Sequence, residues 1–312
     1  MIWFALATYR ADDGAARTGI VVDDHLIDLE GTADRLGHAL PVDATLDGII
    51  RNWAEVDGSI KALVAVAADA LKDGRLSGLV VADPSLLLPF HPRRVFATAS
   101  NFIEHANEMD TVLAEKVNSQ PYVFMKSPDS AIATGETVVI PAQVERADWE
   151  VELGVVIGKP GKRIALADAV HHIAGYIVVN DVSARDQTRR NDFPFKHDWF
   201  RGKSYDTFLP LGPWFVPRDC LGDPHAFRMG LSVNGETMQD GSTGEMIFNV
   251  FEQIQYLSAI LTLQPGDVIA TGTPAGVGMG RGVYLKDGDV MRAWIDGIGE
   301  IVNPVAAERI ET

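Results

Sequence analysis

The chain alternates acidic and apolar residues over Asp148-Trp149-Glu150-Val151-Glu152-Leu153-Gly154 and continues into an apolar run at 155–157. A period of two is typical of a β-strand, in which residues two apart lie on the same face. The pattern therefore predicts a strand that presents Asp148, Glu150 and Glu152 together. Such carboxylates repel one another unless a cation lies among them, and a hard divalent cation with oxygen ligands suits the set. An ordinary solvated strand face is the alternative, and the spacing alone does not decide between the two.

A second apolar run, 173–179, predicts a largely buried strand that ends next to Asp181. A strand end is a rigid support for a functional side chain, so Asp181 joins Glu150 and Glu152 as a candidate ligand. Two cations follow along the chain, first Arg185 and then Lys203 between small residues. The region therefore offers three candidate ligands and two cations.

Composition restricts the class of protein. The 312 residues carry a formal net charge of −16, and 46% hydrophobic with 22% charged residues are globular values. The acidic balance argues against nucleic acid and against an anionic membrane surface as partners. No apolar run approaches the ~20 residues that span a bilayer. An anionic substrate remains compatible with this charge, because a buried cation can reverse the local field.

The cysteine content points to a reducing compartment. Cys220 is the single cysteine, which excludes an intrachain disulfide and a cysteine zinc site. The N-terminal residues also lack a basic leader. We therefore expect a cytoplasmic location.

Prolines indicate a domain boundary. Residues 1 to about 35 have the pattern of a β-meander, and residues 43–72 have the spacing of two amphipathic helices. Pro89 and Pro92 then interrupt the chain. We expect a small α+β N-terminal domain over 1–90 and the main, catalytic domain over 91–312.

A histidine and a glutamate three residues apart, His105 and Glu108, lie in a segment expected to be a short helix. At this spacing the two side chains share a helix face and can touch. A carboxylate beside an imidazole raises its basicity and fixes its tautomer, as a general base requires. For an isolated motif of this kind, a solvated helix face is the more common explanation.

Two further features could contribute to a site. Lys126 ends a predicted strand at 121–126, although a lysine in that position is more often a surface residue. The glycine-rich loop 271–278 exposes backbone N–H groups and two hydroxyls, which suit carboxylate or phosphate oxygens. The loop lacks the lysine of a P-loop and the spacing of a dinucleotide fingerprint.

Taken together, these segments resemble the fumarylacetoacetate hydrolase family over roughly residues 92–306. The resemblance rests on six motifs in the family's order: N-F-I-E-H-A-N-E at 101–108, D-W-E-V-E-L-G-V-V-I-G at 148–158, N-D-V-S-A-R-D at 180–186, G-K-S-Y-D at 202–206, P-G-D-V-I at 265–269 and T-G-T-P-A-G-V-G at 271–278. The resemblance implies an α+β fold with a mixed β-roll core, a homodimer, and a bound Mg²⁺ or Mn²⁺, with Ca²⁺ as a third candidate. It also implies catabolic chemistry on small 2-keto or 2,4-diketo acids.

The family's functional residues carry over by motif. The implied metal ligands are Glu150, Glu152 and Asp181. The implied catalytic residues are His105, Glu108 and Lys203, with the first two on a segment that orders over substrate. The implied substrate-binding residues are Arg185 and Thr273, with Lys126 as a further candidate. Asp148 shares the predicted strand face but matches no family ligand.

Three positions depart from the family pattern. The family often has glutamine seven residues after the metal-binding aspartate, where this chain has Thr188, with Gln187 one residue earlier. The substrate contact of that glutamine is therefore in doubt. Phe102 replaces a frequent tyrosine, and the inserted segment 189–199, rich in charge and aromatics, is expected to shape the far end of the pocket.

The resemblance favours a metal-dependent hydrolase that cleaves a C–C bond in acylpyruvate-like or 2,4-diketo acids through a metal-stabilised enolate. In that reaction His105, oriented by Glu108, takes a proton from water, and Lys203 stabilises the developing oxyanion. The first alternative is a decarboxylase or isomerase of related keto-diacids, of the 2-hydroxyhepta-2,4-diene-1,7-dioate or oxaloacetate type. A non-catalytic binding protein is the remaining alternative.

Overall fold

The computed structural model describes residues 2–40, 43–109 and 112–310. The helices are α1 Leu29–Leu36, α2 Leu46–Arg51, α3 Trp53–Lys72, α4 Ile103–Glu108, α5 Trp199–Lys203, α6 Val250–Ile260 and α7 Gly278–Arg281. The strands are β1 Ala5–Arg10, β2 Ala16–Val22, β3 His25–Asp28, β4 Ser85–Leu86, β5 Arg94–Ala99, β6 Tyr122–Lys126, β7 Ala131–Ile132, β8 Val138–Ile140, β9 Ala147–Asp148, β10 Val151–Ile157, β11 Ile173–Asn180, β12 Ser183–Ala184, β13 Leu209–Pro217, β14 Arg228–Val233, β15 Glu236–Ser242, β16 Asp267–Ala270, β17 Val290–Ile295 and β18 Gly299–Ala307. Within the described ranges, no helix combines the length and the apolar character needed to cross a bilayer.

The largest sheet contains 11 strands in the order β3-β2-β1-β13-β11-β10-β16-β5-β6, with β4 beside β1 and β7 beside β13. Most neighbours are antiparallel, whereas β16 with β5 and β13 with β7 are parallel. The central strands β10 and β11 are buried along their whole length. A strand covered on both faces is apolar throughout, which is why both strands could be recognised as apolar runs.

A second sheet of five strands, in the order β15-β14-β17-β18-β8, packs against the central strands of the first. The apolar core between them includes Leu153, Tyr176, Leu231 and Ile295. Tyr176 meets Phe227 edge to face, with ring centroids 5.9 Å apart. The α+β class and the mixed β-roll core expected from the sequence are confirmed.

The N-terminal segment extends the large sheet instead of standing apart from it. Strand β1 pairs with β13, with Leu6 opposite Phe215. Helix α3 packs against β13, where Trp53 meets Phe215 edge to face with ring centroids 5.1 Å apart. Residues before 90 therefore share one core with β5, β10 and β11. The expected domain division at residue 90 stays a prediction.

The predicted strand through Asp148 and Glu152 is interrupted. Strand β9 ends at Asp148 and pairs with β12, whereas β10 begins at Val151 and pairs with β11 and β16. Trp149 and Glu150 form the link between the two strands, and Trp149 is buried with its indole N–H donated to Gly276 O at 3.1 Å. The expectation of one continuous acidic face is therefore wrong at its N-terminal end. Asp148 belongs to a different sheet from Glu152.

Candidate active site

Two paired strands bring the acid trio, Glu150, Glu152 and Asp181, to one point. Glu150 directly precedes β10, Glu152 lies within it, and Asp181 directly follows β11. The Asp181 N–H donates to Glu150 O at 2.8 Å, which closes the end of the β10–β11 ladder. One carboxylate oxygen from each of the three residues lies within 4.8 Å of the others, and all three side chains are buried.

Three buried cations surround the acid trio. Lys203 Nζ lies 2.6 Å from Glu150 Oε2 and 2.6 Å from Asp181 Oδ2. Lys126 Nζ donates to Asp181 Oδ1 and, at 3.0 Å, to Val182 O. Arg185 donates from Nη2 to Glu150 Oε1 at 2.6 Å and from Nε to Asp148 Oδ2 at 2.7 Å. Every carboxylate oxygen of Glu150 and Asp181 is therefore paired with a cation.

These contacts shift the ionisation of the buried groups. Burial raises the pKa of Glu150, but Arg185 and Lys203 outweigh it and hold that pKa well below its usual range. Burial lowers the pKa of Lys203, but Asp181 and Glu150 outweigh it, so that pKa lies above its usual value. Burial raises the pKa of Glu152 well above its usual value, and the neighbouring carboxylates Asp181 and Glu150 raise it further.

The donor set of the acid trio suits a divalent metal ion. All three donors are carboxylate oxygens, which Mg²⁺ and Mn²⁺ prefer. Glu152 accepts one hydrogen bond, 2.7 Å from the Gly272 N–H, and forms no ion pair with a described lysine, arginine or histidine. Its neighbours are the two other carboxylates, so a cation on its side would relieve their mutual repulsion. The acid trio expected from the sequence is thus assembled as a possible metal centre.

The histidine–glutamate pair forms a dyad in which the histidine is buried and the glutamate is half-buried. His105 Nδ1 lies 2.8 Å from Glu108 Oε1 on α4, and the His105 side chain is 7% exposed. The second carboxylate oxygen of Glu108 accepts the Gly276 N–H at 2.8 Å. The alternative of a solvated helix face therefore does not apply.

The glycine-rich loop 271–278 binds carboxylates, but they belong to the protein itself. The Gly272 N–H donates to Glu152, and the Gly276 N–H donates to Glu108. The Gly278 N–H lies 2.6 Å from Asp148 Oδ1. Three N–H groups that the sequence offered to substrate oxygens are thus already used to hold the site's own acidic residues.

A cavity of about 440 Å³ joins the acid trio, the dyad histidine and the expected cations. Its lining consists of Thr98, Ala99, Ser100, His105, Met109, Phe124, Glu150, Glu152, Asp181, Arg185, Thr188, Arg189, His197, Trp199, Lys203, Thr273 and Met279.

The substrate-binding candidates differ in their access to this cavity. Arg185 and Thr273 line it, although the Thr273 hydroxyl donates to Val151 O at 2.8 Å and accepts from Gln239 at 2.7 Å. Lys126 does not line it and lies behind Asp181, fully buried. The roles of Arg185 and Thr273 in binding stay predictions, whereas the position of Lys126 suits a support for Asp181.

The doubt over Gln187 and Thr188 has a geometric answer. Thr188 lines the cavity, and its hydroxyl donates to Arg185 O at 2.8 Å. Gln187 lies outside the cavity lining and donates to Gln143 O at 3.0 Å, while its own oxygen accepts from Arg201. Gln187 therefore does not replace the family's glutamine by a shift of one residue.

Sequence reasoning missed several cavity residues. Arg189, His197 and Trp199 lie in the inserted segment, which was expected to shape the pocket but whose individual residues carried no motif. Asp148 acts as an anchor for Arg185 and for the glycine-rich loop. Only the identity of the acidic residue, not its partners, was readable from the sequence.

The chain is similar to known proteins over most of its length. The chain matches the family model described as Fumarylacetoacetate (FAA) hydrolase C-terminal over residues 94–306. It is 41% identical over 249 residues to the human protein named oxaloacetate tautomerase FAHD2A, mitochondrial, which covers 78% of this chain and 76% of that protein.

Solved structures show the same architecture. The fumarylacetoacetate hydrolase of psychrophilic Exiguobacterium antarcticum matches with a TM-score of 0.77 at 31% identity, over 98% of this chain and 100% of that chain. The maleylpyruvate hydrolase of Sphingobium sp. SYK-6, in complex with manganese (II) ion and pyruvate, matches with a TM-score of 0.71 at 29% identity, over 97% and 100% of the two chains.

Proposed function

Because this chain belongs to the fumarylacetoacetate hydrolase family, we propose that it is a metal-dependent enzyme that interconverts the keto and enol forms of oxaloacetate or a closely related 2-keto diacid. The observation that carries the proposal is the pair of His105 and Glu108, whose histidine lines the same cavity as the acid trio. The identity of 41% with a protein named as an oxaloacetate tautomerase favours this reaction over the others of the family.

Tautomerisation moves one proton and needs no other reactant. A C–H bond beside the keto carbon breaks and an O–H bond forms at the keto oxygen, so atoms and charge balance. A carboxylate acceptor at His105 Nδ1 favours the tautomer whose Nε2 is the free base, which suits removal of that proton. Lys203 holds a positive charge beside Glu150 and Asp181, near the oxygen on which negative charge develops. A divalent cation held by the acid trio would polarise the substrate's oxygens.

Hydrolysis of a C–C bond in an acylpyruvate, the first expectation from the sequence, is the second candidate. The likeness to a maleylpyruvate hydrolase supports it. The same dyad can take a proton from water instead of from carbon, so the residues allow both reactions. The two candidates differ in whether water enters the product.

The deciding experiment supplies both substrates to the purified protein with Mg²⁺ or Mn²⁺. Conversion of enol-oxaloacetate to the keto form is followed by the loss of the enol absorbance, and acetylpyruvate is followed by NMR for acetate and pyruvate. We expect metal-dependent tautomerisation above the uncatalysed rate. Acetate and pyruvate formation without tautomerisation would instead assign the chain to the hydrolases, and carbon dioxide release from oxaloacetate would favour the decarboxylase alternative.

The assembly is proposed on the family basis, and the location on the single cysteine, Cys220. We propose a homodimer and a cytoplasmic location, with a small keto acid as the partner molecule. Light scattering coupled to size exclusion measures the first, since a dimer has twice the 33.8 kDa of one chain. Fractionation of the native cell measures the second.

A further inference from the structure

The inserted segment folds back on itself as a hairpin at the mouth of the cavity. Arg189 and His197 form a β-bridge, the Arg190 N–H donates to Lys196 O at 3.0 Å, and the Asp198 N–H donates to Thr188 O at 2.8 Å. The base of this hairpin, and not its tip, supplies cavity residues. The backbone pairing therefore fixes which side chains reach the substrate.

Arg189, an exposed residue, differs from Arg185 and Arg190 in having no acidic partner among the described residues. Arg190 is paired with Asp192 at 2.6 Å and with Asp198 at 3.4 Å. Arg185 is paired with Asp148 and Glu150. Among the described residues, no ion pair or hydrogen bond of the Arg189 guanidinium is present, although it lines the cavity.

Arg189 is unpaired in a chain that is acidic overall. With 43 acidic against 27 basic side chains, acidic partners are abundant. The cations at the acid trio are all committed to carboxylates of the protein. A second anionic group on a substrate would therefore find its uncompensated positive charge at Arg189.

A second donor, the Trp199 indole, lines the same cavity and has no acceptor among the described residues. The Trp199 indole stacks on Phe124 with centroids 5.1 Å apart and on His197 at 6.1 Å, so its ring is held in the cavity wall. Its Nε1 is buried and has no hydrogen-bond partner. A buried indole N–H normally has an acceptor, which a bound ligand could supply.

We propose that Arg189, assisted by the Trp199 N–H, binds the second carboxylate of a 2-keto dicarboxylate whose keto-acid end lies at the acid trio. This inference rests on the proposed function and extends it, because it makes the enzyme selective for diacids over monoacids of equal length. A guanidinium and an N–H donor can both donate to one carboxylate, which gives direction as well as charge.

The test compares two ligands that differ only at their far end. Binding of 2-oxoglutarate and of 2-oxopentanoate, each in the presence of Mn²⁺, is measured by calorimetry on the full chain. We expect the parent protein to prefer the diacid by about tenfold or more. Arg189→Gln should remove this preference, and Trp199→Phe, which keeps the stacked ring, should reduce it.

Arg190→Gln is the matched control, because it removes an adjacent arginine that is already paired outside the cavity lining. It should keep the parental preference. A parent protein that binds both ligands equally, or an Arg189→Gln variant that still prefers the diacid, would overturn the subsite. Tautomerase activity is measured separately on oxaloacetate. A diacid preference without activity would refute the proposed reaction and leave the subsite standing. Activity without a diacid preference would refute the subsite and leave the proposed reaction standing.

Discussion

The carboxylate of Glu108 accepts a 2.8 Å hydrogen bond from the backbone N–H of Gly276, a residue 168 positions further along the chain. This contact ties the helix that carries His105 to the glycine-rich loop. A side chain at 276 would be excluded, because φ is +104° and a Cβ would lie 2.0 Å from Met238 O. The orientation of the dyad is thus set by a distant loop and not by its own helix alone.

His105→Ala tests the dyad as the base of the reaction. Loss of a general base typically lowers the rate by ~10²–10⁴-fold, and we expect kcat to fall in this range. Mn²⁺ affinity should be retained, because His105 is not one of the three clustered carboxylates. Steady-state kinetics and calorimetry on the same preparation measure both. A variant with the parental rate would remove His105 from the chemistry.

Glu152→Gln tests the metal centre with little damage to the fold. Glu152 has no cationic partner among the described side chains and lies among like charges, so its neutralisation leaves no buried cation uncompensated. We expect Mn²⁺ affinity to be lost while the Tm of the metal-free protein is kept or raised. Unchanged Mn²⁺ binding would contradict the ligand assignment.

Glu150→Ala should behave differently from Glu152→Gln. It also removes a ligand, but it strips Lys203 and Arg185 of a buried partner. Breaking a buried ion pair in this way typically costs about 3–5 kcal/mol of stability. Chemical denaturation should therefore separate the two variants, although both lose the metal. Equal stabilities would mean that the buried cations find other partners.

Ligand binding is expected to order the segment after the dyad. The family resemblance implies that the segment carrying His105 and Glu108 orders over substrate. We extend this expectation to residues 107–118, of which 110 and 111 lie outside the described residues. Near its end, Lys116 reaches Glu252 on α6 at 2.8 Å, a contact that could hold a closed form. Hydrogen exchange of this segment should slow on addition of Mn²⁺ and oxalate. Exchange that does not change would leave the segment without a closing role.

Acid should weaken the attachment of α3 to the large sheet. Lys61 on α3 bonds Asp219, after β13, at 2.6 Å. Burial raises the pKa of Asp219, but hydrogen bonds from Lys61 and Arg218 outweigh it, so that pKa lies below its usual value. A carboxyl with a depressed folded pKa stabilises the fold above its unfolded pKa and loses this effect as pH falls through the folded value.

Asp219→Asn should therefore cost about 0.2–1 kcal/mol near neutral pH, the usual range for a partly exposed pair. The difference in unfolding free energy between parent and variant should shrink as the pH is lowered past the ordinary range of aspartate. Urea unfolding at several pH values measures it. A difference that is constant with pH would assign the loss to packing instead of charge.

The sequence predicted the parts of the site that depend on local pattern. Alternation located Glu150 and Glu152, a buried run located Asp181, and helical spacing paired His105 with Glu108. Each of these signals depends only on a strand or helix period, which can be read from the spacing of nearby residues in the sequence. The structure brings His105, Glu150, Glu152 and Asp181 to one cavity, and Glu108 contacts His105 without lining it.

The parts that were missed depend on contacts between distant segments. The break between β9 and β10 arises because their neighbours differ, which no local period reveals. Lys126 appeared to be a surface lysine because its partner Asp181 is 55 residues away. Three N–H groups of the glycine-rich loop were expected to face substrate, but the protein's own carboxylates accept their hydrogen bonds.

The pairing of β1 with β13 joins the N-terminal segment to the sheet that carries the candidate active site. A shortened protein beginning at residue 91 would uncover the edge of β13 and the apolar face formed by Val156, Ile177 and Phe215. An open strand edge beside exposed apolar surface is a template for aggregation. Although the family motifs all lie beyond residue 92, we therefore expect residues 91–312 alone to aggregate. An exchange of N-terminal segments between relatives therefore has to keep the contacts of Leu6 and Trp53 with Phe215.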